Sequence, residues 1–518
     1  MNGGTEDARW PATAVAVAAV LGAWQLLGAL GRLPDYILPP SEVAGAVVAS
    51  VRDGTLGHAT PASLRRLGLG FLAGGLPAVA LGLAAGMRTG VRHVVDPVAS
   101  LMAPLPKIAL FPAVAVWLGF TDRAVVLVIA LACFHPSFVN AMSGALSIDP
   151  AVLRVARNVG AGRWRTFWQV ALPASLPRVL IGLRISLAVS FVMVFATEAV
   201  SSRPGLGFVL VQSYQFLRYD RMYAALAVLA VSGFLADRLL VLAVRRVAGN
   251  AEAPLGALTG GRGAAMESRP GRRLAGALAV GATLAAWEVG ARVAGSPLFP
   301  RLTLVLSRLW RDASSGLVWD HARVTLSDGL AGLGIALVTG VALGLVMARV
   351  RLLDAALGPL VAATYPVPKL ALYPLVLLTF GLGTASKVAI VGLECMYPIA
   401  YATYGGARSV DVQLLWVCRN AGAGRLATIR NVIVPATAPS LLAGVRVAVP
   451  TMLVVMVVTE LLGESRGLGF LIRLAGANFE PEGALAVVLL LGILGFLLDR
   501  VLLALGAVLL PWDRTSRR

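Results

Sequence analysis

A chain of 518 residues that is 58% hydrophobic and only 14% charged, with a mean hydropathy of +0.80, falls outside soluble domains, whose apolar share is nearer ~45–50%, and reads as an integral membrane protein. Its formal charge of +19 rests on arginines spread among the polar segments, a distribution that reports membrane topology rather than a nucleic-acid partner. Cys133, Cys395 and Cys418 show no paired spacing, His58, His93, His135 and His321 are scattered, and no nucleophile or acid pair stands out, which argues against a disulfide scaffold, a metal centre or an enzyme.

The first residues, MNGGTEDARW, place Glu6 and Asp7 where a signal peptide carries net positive charge, and the apolar run at 14–30 is long enough to span. It is expected to be a retained first membrane helix. Further runs of about 20 residues, enough to cross roughly 30 Å of hydrocarbon, follow at 67–86, 124–141, 179–197 and 224–244. A proline-broken apolar stretch occupies 98–118. Residues 247–273, rich in Gly, Ala and Arg and without apolar periodicity, read as a flexible linker. Beyond it the same series returns at 274–293, 330–347, 360–380 (again proline-broken), 388–404, 441–458 and 484–510. The total is about twelve spans.

The return is a duplication. At a constant offset of 262 residues, Pro97 matches Pro359, Pro106-Lys107 matches Pro368-Lys369, Pro136 matches Pro398, Arg184 matches Arg446, Glu198 matches Glu460, and Gly205-Leu206-Gly207 matches Gly467-Leu468-Gly469. The expected fold is therefore an all-α polytopic membrane protein of two parallel six-helix repeats, 1–246 and 274–518, joined by the linker 247–273. Arg245, Arg246, Arg262, Arg269, Arg272 and Arg273 at the linker, and Arg514, Arg517 and Arg518 at the end, place the linker and both termini on the cytoplasmic side.

One polar segment is repeated most closely: RNVGAGRWRTFWQVALP at 157–173 and RNAGAGRLATIRNVIVP at 419–435. Asp149 caps a helix opened by Pro150; the helix breaks at Gly160-Ala161-Gly162, and a second short helix is expected to stop at Pro173. Ala156 and Gly160 share a face and leave it nearly flat. A hinged pair of short helices, present twice, suits docking of a soluble partner that itself comes in two copies. It equally suits an interfacial helix whose Arg154, Arg157, Arg163 and Arg165 snorkel to the headgroups.

This segment resembles the signature loop of the permease subunits of binding-protein-dependent ATP-binding-cassette (ABC) importers: Glu-Ala-Ala, then a glycine, then Ile-x-Leu-Pro. The glycine falls on Gly160 and Gly422, the aliphatic position on Val170 and Val432, and the closing pair on Leu172-Pro173 and Val434-Pro435. The opening triplet departs from the pattern, reading Arg154-Val155-Ala156 and Trp416-Val417-Cys418. APLPKIALFPAVAVWLGF and YPVPKLALYPLVLLTFGLG, with the Glu…Gly-Leu-Gly tails, are similar to the nitrate, sulfonate and taurine branch. The resemblance implies a type I importer permease fold, two permeases fused into one chain, in the bacterial inner membrane. It implies two ABC ATPase subunits and an extracytoplasmic binding protein as partners, and a small solute such as an organic or inorganic anion or a vitamin precursor. The docking residues carried over are Arg154, Ala156, Arg157, Gly160, Ala161, Gly162, Leu172 and Pro173, with Cys418, Arg419, Gly422, Ala423, Gly424, Val434 and Pro435 in the second copy.

The chain has three lysines, Lys107, Lys369 and Lys387, none in a phosphate-binding Gly-Lys-Ser/Thr loop, so no cofactor is expected on this chain and ATP with magnesium belongs to partner subunits. Charges inside spans are the candidates for the translocation path. Lys107 and Lys369, beside prolines in the broken third span, either attract an anion or snorkel. Arg184 and Arg446 are expected to snorkel. Glu198 and Glu460, about 21 Å further along a helix, either face the path with Gly207 and Gly469 or cap the glycine turn that follows. The competing architecture is a secondary transporter of the major-facilitator kind, also of two parallel six-helix halves.

Overall fold

The computed structural model describes residues 9–201, 203–248, 270–364 and 367–511, and among them every regular element is a helix. Most of the linker 247–273, and the terminal charges Glu6, Asp7, Arg514, Arg517 and Arg518, lie outside the described residues.

The first half runs through α1 (Arg9–Ala29), α2 (Pro40–Arg52), α3 (Thr55–Met87), α4 (Thr89–Met102), a 3-10 turn (Lys107–Leu110), α5 (Phe111–Leu118), α6 (Asp122–Leu146), α7 (Pro150–Asn158), α8 (Arg163–Thr166), α9 (Leu172–Ser201), α10 (Leu206–Gln215) and α11 (Tyr219–Ala248). The second half repeats the order with α12 (Pro270–Ala294), α13 (Leu302–Ser314), α14 (Leu317–Arg349), α15 (Arg351–Thr364), a 3-10 turn (Lys369–Leu372), α16 (Tyr373–Phe380), α17 (Thr384–Arg408), α18 (Val412–Asn420), α19 (Arg425–Thr428), α20 (Val434–Leu461), α21 (Leu468–Ala477) and α22 (Pro481–Leu509). From α2 to α8 every boundary recurs 262 residues later without a shift, so the duplication seen in sequence is a duplication of structure.

Among the described residues, eight helices are long and apolar enough to cross a membrane. The pair α4–α5 makes a ninth span, bent by 82° at residues 103–106. The remaining three of the expected twelve are shorter or more polar. Val15–Ala29 and Lys369–Phe380 are short apolar helices, and α17 carries Lys387, Glu394 and Arg408. The bend has a sequence cause: Pro104 and Pro106 supply no backbone N–H, and Gly119 ends α5 at φ +72°.

Lipid gives helices no hydrophobic reason to associate, so contact depends on close approach at small residues. Along α3, Gly70, Gly74, Gly82 and Gly86 all face α6, at Ile129, Ala130, Ala141 and Ala145 respectively. In the second half, Gly332, Gly340 and Gly344 of α14 meet α17 in the same way; a methyl at Gly340 would lie 2.8 Å from the Met396 carbonyl. These two helix pairs are the most extensively packed in each half.

The halves are joined by exchange as well as by packing. Helix α1 lies on α15 of the opposite half, and α12 lies on α4, with Gly276 against Pro97. Between them one buried cluster runs through both halves, including Phe111, Phe191 and Phe195 from the first and Tyr373, Met452, Met456 and Leu491 from the second.

Candidate functional site

Three features recur in both halves: a pair of short helices at one end, a broken span at the centre, and a buried carboxylate at the other end.

The short helices are α7–α8 and α18–α19. Asp149 Oδ1 accepts the Ala151 N–H at 2.8 Å and Asp411 Oδ1 accepts that of Gln413 at 2.8 Å, so both helices open on a side-chain cap. Both close on a glycine in the left-handed region, Gly160 at φ +80° and Gly422 at φ +73°, with Ala161 N donating to Ala156 O at 3.0 Å and Ala423 N to Cys418 O at 2.9 Å. Gly160 therefore lies past the helix end rather than on a flat face with Ala156, and Ala156 is buried. Pro173 does not stop the second helix, contrary to the expectation from its position. A π-turn, Phe167–Ala171, carries α8 straight into α9; Leu172 N reaches Phe167 O, and Pro173 directly follows the π-turn within a helix that continues from Trp164 to Ser201. Ile429–Ile433 and Pro435 repeat this.

Outward, these segments present apolar side chains to no described partner. Val155, Val159 and Trp168 are exposed, and Trp164 is 73% exposed; in the second half Val412, Trp416, Val417 and Ile429 are exposed and Leu426 is 79% exposed. Trp164, Phe167 and Trp168 form an aromatic cluster, with Trp164 and Trp168 centroids 5.5 Å apart edge to face. Arg154, Gly162 and Gly424 are exposed beside them, Ala161, Ala423, Leu172, Pro435 and Cys418 are half-buried, and Pro173 and Val434 are exposed. Of the Arg157 and Arg419 side chains nothing is described.

The broken spans meet crosswise at the junction of the halves. The turn Lys107–Leu110 touches α20 and α22 of the second half, and the turn Lys369–Leu372 touches α9 of the first. Lys107 Nζ donates to Ala103 O at 3.0 Å, and His135 of α6 lies within reach of its charge. Lys369 is buried; its ammonium sits 4.2 Å from the Tyr397 ring centroid, and Glu394 Oε1 accepts the Leu370 N–H at 2.9 Å on the same turn. Interrupted helices at equivalent places in two repeats are where transporters of this general design hold their solute.

At the far end of α9 and α20 stand Glu198 and Glu460, both fully buried. Glu198 accepts from Ser63 Oγ at 2.8 Å, Arg66 Nη1 at 2.7 Å and Gly207 N at 3.1 Å. Glu460 accepts from Thr325 Oγ1 at 2.8 Å and Gly469 N at 2.8 Å. In this conformation each closes the glycine turn of its own half. The cations differ. Arg66 bridges Glu198, Asp122 at 2.8 Å and the Pro204 carbonyl at 2.9 Å, with Arg65 also on Asp122. The position of Arg66 is Asp328 in the second half, where the pair is Asp328 with Lys387 at 2.6 Å. Sequence reasoning passed over Arg66, Asp122 and Asp328 because opposite charges at equivalent positions look like a failure of the repeat.

Arg184 and Arg446, expected to snorkel, are each held by a carboxylate of the last helix of their own half. Arg184 forks onto Asp237 of α11 at 2.7 and 2.9 Å, and Arg446 pairs with Asp499 of α22 at 2.8 Å. In each half a carboxylate 53 residues on satisfies the guanidinium where it stands, half-buried at Arg184 and exposed at Arg446.

Comparison with known proteins shows the same twofold repeat. A family model described as the binding-protein-dependent transport system inner membrane component matches residues 78–249 and again 340–508. The taurine transport system permease protein of Escherichia coli is 32% identical over 227 residues, covering 43% of this chain and 82% of the relative. The formylaminopyrimidine transport permease protein of Halalkalibacterium halodurans is 34% identical over 229 residues (44% and 91%), and the riboflavin transport system permease protein of Chloroflexus aurantiacus 36% over 225 residues (42% and 84%). Each relative thus corresponds to about one half of this chain.

Proposed function

The chain belongs to the binding-protein-dependent transport system inner membrane component family, as a multi-pass ABC-importer permease carrying two permease repeats, and on that premise we propose how it is driven and what it carries. The two halves form one translocation path, opened alternately to either side as two separate ATPase subunits close and open beneath them. The ATPases dock on α7–α8 and α18–α19, on the cytoplasmic side together with both termini, and ATP and magnesium are held by those subunits rather than by this chain. An extracytoplasmic binding protein delivers the solute, a small organic or inorganic anion or a vitamin precursor. Lys107 and Lys369 line the path at its centre, and Glu198, Glu460, Gly207 and Gly469 brace its outer end. The membrane is a bacterial inner membrane.

The observation that carries this reading is the duplicated apolar exposure on a capped, glycine-closed helix pair: Trp164 and Leu426 are among the most exposed large apolar side chains described, on segments whose backbone is otherwise fully organised. An organised surface with unpaired apolar groups is built for a partner. The test is purification from the native membrane followed by reconstitution. Co-purification of an ATPase and solute uptake that requires ATP are expected. Uptake down or against a gradient by this chain alone, without nucleotide, would replace the reading with a secondary transporter of two six-helix halves.

A further inference from the structure

Resting on that importer reading, we propose that the two halves are unequal at the centre of the path, and that the negative group of the solute is held by Lys107 alone. The two lysines are equivalent by sequence, each on the turn of a broken span at the junction of the halves. Their surroundings are not equivalent. Around Lys369 the second half supplies its own compensation: the Tyr397 ring 4.2 Å from the ammonium, and the Glu394 carboxylate fixed to the same turn through the Leu370 N–H. At the matching positions of the first half stand His135 and Ala132, so the tyrosine ring is replaced by an imidazole and the carboxylate is missing.

Lys107 is left with the Ala103 carbonyl as its described acceptor, and among the described residues no carboxylate lies within ion-pair distance of it. An ammonium carries three donors, and one carbonyl takes one of them. A half-buried cation at the junction of the halves, with two donors to spare and a histidine rather than a carboxylate beside it, calls for an anionic ligand. The ligand class that fits is a small anion with several acceptor oxygens, a sulfonate or a carboxylate, that enters from the junction of the halves and supplies the charge the first half lacks. Lys369 then serves to hold the broken span of its own half in place.

The test uses the whole chain with its ATPase subunits and binding protein in proteoliposomes, with ethanesulfonate and taurine as anionic-group probes and riboflavin as an uncharged one. Lys107→Met is expected to lower the uptake rate of the sulfonates about tenfold or more, the loss of one charge-assisted contact, and Lys369→Met to lower it by a much smaller factor. Ala132→Glu gives the first half the carboxylate of the second and is expected to reproduce the Lys107→Met loss with the lysine still present. Because that glutamate enters a buried site, a gain-of-function arm accompanies it: adding Glu394→Ala to Lys107→Met releases Lys369 and is expected to restore part of the uptake. Equal losses from the two lysine variants, or no loss from Lys107→Met, overturn the proposal. A wild-type complex that retains its ATPase and carries riboflavin but neither sulfonate overturns the anion seat and leaves the importer reading standing; a chain that retains no ATPase overturns both.

Discussion

Arg66 Nη1 meets Glu198 Oε1 at 2.7 Å with both side chains buried, whereas the residue in Arg66's place beside Glu460 is Asp328, whose charge is answered by Lys387 instead. One design, a buried carboxylate closing a glycine turn, is thus met by a cation in the first half and by neutral donors, Thr325 Oγ1 and Gly469 N, in the second. In the first half the cation touches the turn-capping glutamate itself, and in the second it is one residue pair removed.

The energetic consequence is an ordering of variants. Arg66→Met strands Glu198 and leaves the Pro204 carbonyl unmet, a loss of about 3–5 kcal/mol by the measure of broken buried ion pairs. Thr325→Ala removes a neutral donor from Glu460, which keeps the Gly469 N–H, and also the acceptor of the Leu468 N–H at 2.9 Å, and should cost about 1–3 kcal/mol. Thermal melting of the purified protein in detergent reads both; equal shifts would show that Arg66 is not the cation that matters at this end.

The hinges of the short helices depend on backbone conformation rather than space. Nothing lies within 4 Å of a side-chain carbon at Gly160 or Gly422, yet both sit at positive φ, where an L residue is disfavoured by about 1–2 kcal/mol. Gly160→Val with Gly422→Val should therefore re-aim the segments and lower ATPase retention on a pull-down several-fold. Gly162→Ala, at a glycine without positive φ and with open space around it, should lose much less. Similar losses from both would argue that bulk rather than conformation governs the segment.

The two docking segments should differ in strength. The first offers the Trp164–Phe167–Trp168 cluster; the second offers Leu426 and Ile429, with Arg430 in the place of Trp168. Buried tryptophan anchors at interfaces commonly cost about 2 kcal/mol or more on truncation. Trp164→Ala should weaken ATPase binding roughly 30-fold, converting that energy at 1.4 kcal/mol per factor of ten, and Leu426→Ala by less. Titration of purified ATPase against each variant in nanodiscs measures the difference; a larger effect at Leu426 would reverse the assignment.

Leu217 and Phe479 are the described non-glycine residues at positive φ, +55° and +56°, and they fall at the same position of the two repeats. They are 63% and 70% exposed, so little packing holds them there. Glycine at either position removes a left-handed cost of about 1–2 kcal/mol while adding about 0.4–1 kcal/mol of unfolded-state freedom. The net expectation is a gain of between about 0 and about 1.6 kcal/mol per site in chemical or thermal unfolding. A loss instead would mean that the side chains, not the backbone, stabilise these turns.

Much of this protein was legible before any coordinates. The duplication, the proline-broken third spans, the capped helix at Asp149 and the glycine hinges were readable because each is set by residues adjacent in the chain or by a fixed repeat distance. Pro173 shows where local rules mislead: it reads as a stop, but a π-turn leads directly into it and the helix runs on to Ser201.

The sequence by itself determined that the chain lives in a membrane, is built twice over, and presents a repeated polar hinge, since apolar length, offset identity and cap chemistry are one-dimensional properties. Only the tertiary structure decided which charges meet. Arg184 finds Asp237, Arg66 finds Glu198, the first helix of each half crosses to the other, and Lys107 is left with a carbonyl while Lys369 gains an aromatic face. The physical reason is that a buried charge is stabilised by whatever lies a few ångströms away in space, and helix packing brings together residues whose separation along the chain carries no mark of the encounter.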